Sequence, residues 1–214
     1  NYIYNIFNIP FLFLVLISCT PKTEEVEIVD FQLKNFSLTQ LNNKGYELFR
    51  LKSSKANIDN VTNEIKAENV TISLTGKNKL FNTIYSEKCL VIKSKNLVIL
   101  TNKVKLTSLE DKDSYLKADK LIWDINKSSV DLYGDINLKY QQTYLSSKRA
   151  NYNDSLKKIV FSGLTKYVVY SKLDEINPLI RLSSDNAIIN YNSKQIEFNS
   201  KNNQVKSTVN LDFN

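Results

Sequence analysis

The stretch YLKADKLIWDINKSSVDLYGDINLKY, residues 115–140, contains the pattern that the rest of the chain repeats. From Leu116 onward, this pattern recurs without gaps from Leu51, Ile84, Leu145 and Leu182, at steps of 33, 32, 29 and 37 residues. The residues that match Leu121, Val130 and Leu132 in the other copies are also apolar or small: Ala56, Ile65, Ala67, Cys89, Val98, Leu100, Ala150, Ile159, Phe161, Ala187, Ile196 and Phe198. A period of roughly 30 residues is typical of stacked repeat architectures. The sequence therefore predicts five repeats.

Each copy has the pattern of two β-strands joined by a polar turn. In the second strand of the quoted copy, apolar and polar residues alternate from Val130 to Leu138, as expected of a half-buried strand. The step of three from Ala118 to Leu121 interrupts the alternation in the first strand and predicts a β-bulge or a bend. Gly134 and Gly163 occupy one repeat position, which indicates a second irregularity there.

No helical periodicity of useful length follows residue 28, and Ser171–Pro178 is predicted to be a loop between two copies. With a hairpin before the first copy, we expect an all-β domain of about twelve antiparallel strands. Such a meander either closes as a barrel or folds over as an open, V-shaped sandwich.

The composition excludes several classes of function. The chain has no histidine and only two cysteines, whereas zinc sites and general-base catalysis depend heavily on these residues. Four carboxylates, Asp119, Asp124, Asp131 and Asp135, fall at outward or turn positions without forming an isolated pair. The net charge of +7 comes from scattered lysines, so we expect no nucleic-acid partner. No cofactor is predicted, and an enzyme is the least favoured reading.

The N-terminal segment has the features of a signal that directs a protein to a membrane. Residues 11–17, FLFLVLI, match the length of a signal-peptide core and are too short for a membrane span. The following Cys19, preceded by Leu-Ile-Ser, resembles the lipobox of bacterial lipoproteins, so we expect residues 1–18 to be an N-terminally incomplete signal peptide and Cys19 to be acylated. An uncleaved anchor helix and plain secretion are the alternatives. Residues 19–27 would then be the acylated cysteine and a flexible tether, which leaves Cys89 as a small core residue.

The repeat unit resembles that of the bridge proteins of lipopolysaccharide transport. It stands here as LKADKLIWD (116–124) followed by VDLYGDINL (130–138), and as LSSKRANYN (145–153) followed by IVFSG (159–163). The opening VDFQLKNFSLTQLNNKGYELFRLKSSKANI (29–58) is similar to the start of the periplasmic LptC family. The resemblance extends over about residues 28–212.

This resemblance implies an elongated β-jellyroll, or "β-taco", domain over residues 28–214 that has no enzymatic activity. Family members receive lipopolysaccharide from an inner-membrane ABC exporter and pass it to an LptA-like bridge protein, which they join by edge-strand addition. The expected location is the periplasmic face of a bacterial membrane, the inner rather than the outer. A lipobox departs from the uncleaved transmembrane helix of the family's best-known members.

The aligned apolar face is the candidate site, as a trough for the acyl chains of lipopolysaccharide or another acylated glycolipid. Its candidate residues are Ile65, Val98, Leu100, Trp123, Val130, Leu132, Ile136, Leu138, Ile159, Phe161, Ile196 and Phe198. In the alternative reading, the same face is a closed, dry core and the protein is a structural or adhesive envelope lipoprotein.

Overall fold

The chain folds into one antiparallel sheet. The computed structural model describes residues 31–42, 44–75, 82–108, 113–172, 176–190, 192–193 and 195–201, and the backbone of 207–210. Its strands are β1 (Phe31–Leu41), β2 (Glu47–Ile58), β3 (Glu64–Leu74), β4 (Thr83–Ile92), β5 (Leu97–Thr107), β6 (Tyr115–Asp124), β7 (Ser129–Tyr140), β8 (Thr143–Asn153), β9 (Lys158–Tyr170), β10 (Pro178–Asn190), β11 (Gln195–Asn199) and β12 (Ser207–Asn210). A single 3₁₀ turn, Lys93–Lys95, joins β4 to β5.

The strand order follows the chain from β1 to β12. The predicted all-β class and the twelve antiparallel strands are confirmed in the described residues. Within them, β1 pairs only with β2 and β12 only with β11. The sheet is therefore open rather than a closed barrel. The predicted loop before Pro178 is also confirmed, because β9 ends at Tyr170 and β10 begins at Pro178.

A line of backbone irregularities, which we call the crease, crosses the sheet from β1 to β10. It runs through residues 35, 54, 69, 87, 102–103, 119, 134–135, 148, 163–164 and 185, where the register is interrupted or shifted. Gly134 and Gly163 have φ values of +95° and +81° at the crease, and Asn35 and Asn69 are also left-handed there. The bulge or bend predicted between Ala118 and Leu121 is present as a register shift, and the irregularity predicted at the two glycines is also confirmed. Because a bulge bends its strand, a column of bulges bends the whole sheet.

The crease divides nearly every strand into two halves, which form two arms of the sheet. Arm 1 comprises residues 36–41, 47–53, 70–74, 83–86, 104–107, 115–118, 136–140, 143–147, 165–170 and 178–184. Arm 2 comprises residues 31–34, 55–58, 64–68, 88–92, 97–101, 120–124, 129–133, 149–153, 158–162, 186–190 and 195–199.

Aromatic contacts show that the inner faces of the arms meet. The rings of Phe49, in arm 1, and Trp123, in arm 2, have centroids 4.9 Å apart. Tyr167 and Phe198 repeat this relationship farther along the sheet, at 5.0 Å. Both contacts join strands that are not neighbours in the sheet. The sheet therefore folds over along the crease, and apolar residues from both arms form one core.

Candidate functional site

The predicted trough residues lie on the inner faces of the two arms. Ile136 and Leu138 belong to arm 1 and the other ten to arm 2. Ten of the twelve are at most 5% exposed, whereas Trp123 and Val130 are partly buried against the same core. The structure thus brings all twelve residues into one continuous apolar cluster. Whether lipid ever enters this cluster stays a prediction.

Repeat-equivalent residues stand side by side in arm 2 and form two apolar rows. The row nearer the crease is Leu33, Ala56, Ala67, Cys89, Leu100, Leu121, Leu132, Ala150, Phe161, Ala187 and Phe198. The row farther from the crease is Phe31, Ile58, Ile65, Val91, Val98, Trp123, Val130, Tyr152, Ile159, Ile189 and Ile196. Strands lie about 4.8 Å apart, so each row extends for roughly 50 Å.

The inner face is uncovered at the β1 end of the sheet. Phe31 and Leu33 begin the two apolar rows, yet they are 53% and 38% exposed. Their neighbour in the row nearer the crease, Ala56, is 1% exposed. The apolar strip therefore reaches solvent at this edge, where it is accessible from outside the core.

A set of buried serine hydroxyls, which the sequence pattern did not indicate, lies beside the crease. Ser53, Ser86, Ser147 and Ser184 are at most 7% exposed. The Ser86 hydroxyl lies 2.9 Å from the carbonyl oxygen of Lys88 and 2.7 Å from that of Thr101. This hydroxyl therefore donates its hydrogen bond to backbone carbonyl oxygens at the point where the ladder of strand hydrogen bonds is interrupted.

The same arrangement recurs in other copies. Ser53 Oγ donates to the carbonyl oxygens of Lys55 or Glu68, and Ser147 Oγ to that of Ser162. These serines fall two residues after the start of four copies, and Ala118 takes that position in the remaining one. The recurrence of serine at one repeat position was the sequence signal that could have identified these buried hydroxyls. A small polar residue amid alternating apolar residues marks a place where the backbone needs an extra donor.

Cys89 has the predicted place in the core. It is 4% exposed on the inner face, and burial raises the pKa of its thiol to about 12. A thiol of this kind is almost entirely protonated near neutral pH, and the thiolate is the reactive form. Cys89 is therefore a packing residue.

The four outward carboxylates are each occupied by local partners. Asp124 forms an ion pair with Lys127 at 2.9 Å, and Asp135 pairs with Lys148. Asp119 accepts the backbone N–H of Asp135, and Asp131 accepts the side-chain amide of Asn151 at 2.7 Å. Across the described residues, no group of three or more histidine, cysteine or acidic side chains could hold a metal ion.

Two surface depressions, each of about 300 Å³, lie on arm 1 and share Tyr144. The first is lined by Asp113, Lys139, Gln141, Gln142, Tyr144, Tyr170 and Lys172. The second is lined by Tyr115, Lys117, Asn137, Leu138, Tyr144, Leu145, Ser146, Lys166 and Val168. Leu138 is the one trough candidate beside either depression, so both lie apart from the arm 2 rows.

The proposed anchor lies outside the described residues. The predicted signal peptide (1–18) and the predicted acylated cysteine with its tether (19–27) all precede β1. Within the described ranges, no helix has the length and apolar character needed to cross a bilayer.

Comparison with known proteins adds evidence of a different kind. No curated protein matches the chain. Among solved structures, the chain is similar to LptH from Pseudomonas aeruginosa, described as the LptA homologous periplasmic component of the conserved lipopolysaccharide transport device. That match has 12% identity and a TM-score of 0.39, and covers 49% of this chain and 75% of the other. A likeness of this size does not by itself establish a shared architecture.

The sequence model of one family, described as lipopolysaccharide-assembly, LptC-related, matches residues 11–170. This match spans 160 of the 214 residues and includes β1 to β9. Membership implies lipopolysaccharide binding, work alongside other components of the transport system, and a periplasmic, envelope-associated location. The chain therefore belongs to the LptC-related family, whose members are non-enzymatic proteins of lipopolysaccharide transport.

Proposed function

We propose that the chain is a membrane-anchored component that accepts lipopolysaccharide from an inner-membrane ABC exporter and passes it to an LptA-like bridge protein. The observation that carries this proposal is the pair of apolar rows in arm 2, which run the length of the sheet and are uncovered at Phe31 and Leu33. Acyl chains entering at this edge would exchange water for apolar contacts at each successive strand.

Loading requires the arms to separate. Phe49 and Trp123 are in contact across the core, and the rows behind them are tightly packed. Acyl chains would replace contacts between the arms with contacts of similar chemistry, so the apolar surface that separation exposes would be covered again by lipid. The crease is the natural hinge, because its bulges already interrupt the strand ladder.

Photo-crosslinking in cells tests the cargo. A photoreactive phenylalanine analogue at Phe161 faces the core, whereas the same analogue at the adjacent Val160 is on the outer face, where Val160 is 37% exposed. We expect a lipopolysaccharide adduct from position 161 and none from position 160. A glycolipid adduct at neither Phe161 nor Trp123 would contradict the proposal.

Acylation of Cys19 is the proposed anchor. Labelling cells with an alkyne-bearing fatty acid should mark the chain, and Cys19→Ser should abolish the label. Cys89→Ser is the matched control because it removes the buried cysteine and should leave labelling intact. Equal labelling of the wild type and Cys19→Ser would exclude this anchor.

The exposed edge of β1 is the proposed docking strand for a partner of the transport system. In the described residues, β1 uses one side for β2 and leaves its other backbone edge unpaired, which is the requirement for strand addition. A crosslinker at Gln32 should capture the bridge protein or an exporter subunit. The same crosslinker at Ile99, in the interior strand β5, should capture neither.

The tight packing of the core favours a second candidate, a structural β-repeat lipoprotein with a closed, dry core. The low exposure of ten trough candidates is the observation behind it. This function predicts no glycolipid adduct at any inner position and normal lipopolysaccharide export in cells that lack the chain.

A further inference from the structure

The outer face of arm 1 carries many more cations than carboxylates, and one of its cations, Arg50, pairs with Glu47 at 2.7 Å. Two rows of cross-strand neighbours cover this face from β1 to β10. They are Ser37, Lys52, Thr71, Tyr85, Lys105, Lys117, Asn137, Ser146, Lys166 and Ser183, and Thr39, Arg50, Ser73, Thr83, Thr107, Tyr115, Lys139, Tyr144, Val168 and Arg181. Seven of these positions are lysine or arginine, and none is aspartate or glutamate. We call this surface the basic face.

Lysines on the basic face stand close together. Lys105 is directly opposite Lys117 across the β5–β6 pair, and like charges in such a pair repel. Both ammonium groups lie over one ring, because Lys105 Nζ is 5.7 Å and Lys117 Nζ 4.8 Å from the Tyr115 centroid. Lys139 Nζ lies 5.6 Å from the ring of Tyr144. An anionic surface above these groups would relieve their repulsion.

Lys139 lies beside Asp113, but three other lysines of the basic face lack acidic partners among the residues that the structure describes. In the described part of the chain, Lys105, Lys117 and Lys166 form no ion pair, whereas Lys103 and Lys148 at the crease pair with Glu87 and Asp135. Two carboxylates of this region, Glu87 and Asp135, are thus paired along the crease. In the described residues, the positive charge of Lys105, Lys117 and Lys166 is therefore not balanced by an ion pair.

The outer face of arm 2 has a different character. Its corresponding rows contain three carboxylates, Glu68, Asp131 and Glu197, among its cations. They also contain adjacent apolar residues, Leu90, Ile99 and Ile122 in consecutive strands. The two outer faces therefore differ in charge although they belong to one sheet.

We propose that the basic face docks on an anionic phospholipid surface, so that arm 1 lies against the membrane that holds the chain. The proposal rests on the anchor at Cys19, which is twelve residues before Phe31. A fully extended tether of that length reaches at most about 40 Å. The tether would therefore allow the basic face to reach the headgroups, whose attraction for its lysines acts over about a Debye length.

The tyrosines of this face suit the same partner. Tyr85, Tyr115 and Tyr144 stand among the lysines in the two rows. Tyrosine has an apolar ring and a polar tip, and is enriched where proteins meet membrane interfaces. Lysine likewise places its ammonium group in the headgroup layer while its methylene chain covers apolar surface.

Vesicle binding tests this inference. The full chain carrying Cys19→Ser, which removes the acylation site, is partitioned onto vesicles of pure phosphatidylcholine and onto vesicles containing phosphatidylglycerol. The ratio of the two partition coefficients isolates the charge contribution, since the apolar N-terminal segment contributes similarly to both. We expect the ratio to fall about fivefold for each lysine replaced, in a variant with Lys105→Gln, Lys117→Gln, Lys139→Gln and Lys166→Gln.

The matched control removes four lysines from the outer face of arm 2. Lys55→Gln, Lys66→Gln, Lys88→Gln and Lys120→Gln change the net charge equally, and this variant should keep most of the preference for phosphatidylglycerol. An equal loss in both variants would show a dependence on net charge alone and overturn the proposal, as would no loss in the arm 1 variant. No glycolipid is present, so the result is independent of the proposed transport function.

Discussion

Phe49 and Trp123 are 74 residues apart in the chain and four strands apart in the sheet, yet their ring centroids are 4.9 Å apart. Phe49 belongs to arm 1 and Trp123 to arm 2, so this tilted pair joins the two arms far from the crease. Its ring planes are inclined by 50°, within the range of favourable aromatic arrangements. The contact holds the folded sheet closed on the side where the arms would have to part.

Truncation of this pair should weaken the closed state. Phe49 is fully buried, so Phe49→Ala should lower the free energy of unfolding by about 3–5 kcal/mol. A double-mutant cycle with Phe49→Leu and Trp123→Leu should give a coupling of about 0.5–1.5 kcal/mol. Urea unfolding followed by circular dichroism measures both quantities. Strictly additive effects would show that the rings do not stabilise each other.

Removal of the Ser86 hydroxyl at the crease should destabilise the folded protein. Ser86→Ala leaves the carbonyl oxygens of Lys88 and Thr101 without this buried donor, and we expect a loss of about 1–3 kcal/mol in the free energy of unfolding. Ser54→Ala is the control, since Ser54 is exposed although it donates to Glu68. Its loss should stay within about 0.5 kcal/mol. Equal losses for the two serines would disprove the role given to burial.

Alanine substitutions at Gly134 and Gly45 should distinguish the cost of steric crowding from the cost of backbone strain. Both have positive φ, but a Cβ at Gly134 would lie 2.0 Å from Asp119 Oδ2, whereas a Cβ at Gly45 meets open space. Gly45→Ala should cost about 1 kcal/mol from strain. Gly134→Ala should cost about 1–3 kcal/mol more, because Asp119 is held by the N–H of Asp135. Thermal unfolding of the two variants tests this difference, and similar losses would contradict it.

Stability should depend on pH through the turn carboxylate Asp59. Backbone N–H donors hold its pKa below the ordinary value, that of Thr62 most strongly and that of Val61 less. A lowered folded pKa stabilises the protein above the unfolded value of 3.8, and this contribution is lost as the pH falls through the folded value. Asp59→Asn keeps an acceptor but cannot titrate. The stability difference between wild type and variant should therefore shrink below about pH 4, as urea titrations at several pH values would show.

Cys89 should report opening of the core. With the pKa of its thiol raised to about 12 by burial, alkylation by iodoacetamide at about pH 8 should be very slow in the folded protein and fast in urea. Mass spectrometry of the Cys19→Ser chain follows this single site. If lipopolysaccharide parts the arms, its addition should change the alkylation rate of Cys89, while rapid labelling of the unliganded protein would contradict the packing described for it.

The sequence indicated the strands well, because the alternation of apolar and polar residues and the turn residues are local features of the sequence. The step between Ala118 and Leu121 predicted a bulge or bend, and the shared repeat position of Gly134 and Gly163 predicted a backbone irregularity. The structure contains both. The buried serines were missed because a lone serine in a strand gives no sign of which carbonyl it meets. That partner lies 15 residues away for Ser86 and Thr101, and only strand pairing brings the two together.

The sequence by itself determined that the chain is an all-β protein with one apolar face, since a period of two sends alternate side chains to opposite sides of every strand. Only the tertiary structure decided where that face is covered. Alignment of the bulges into one crease folds the sheet, brings Phe49 against Trp123, buries the trough candidates and leaves Phe31 and Leu33 exposed at the edge. It also places Lys105 beside Lys117 on the basic face. These relationships depend on register between distant segments, which no local pattern specifies.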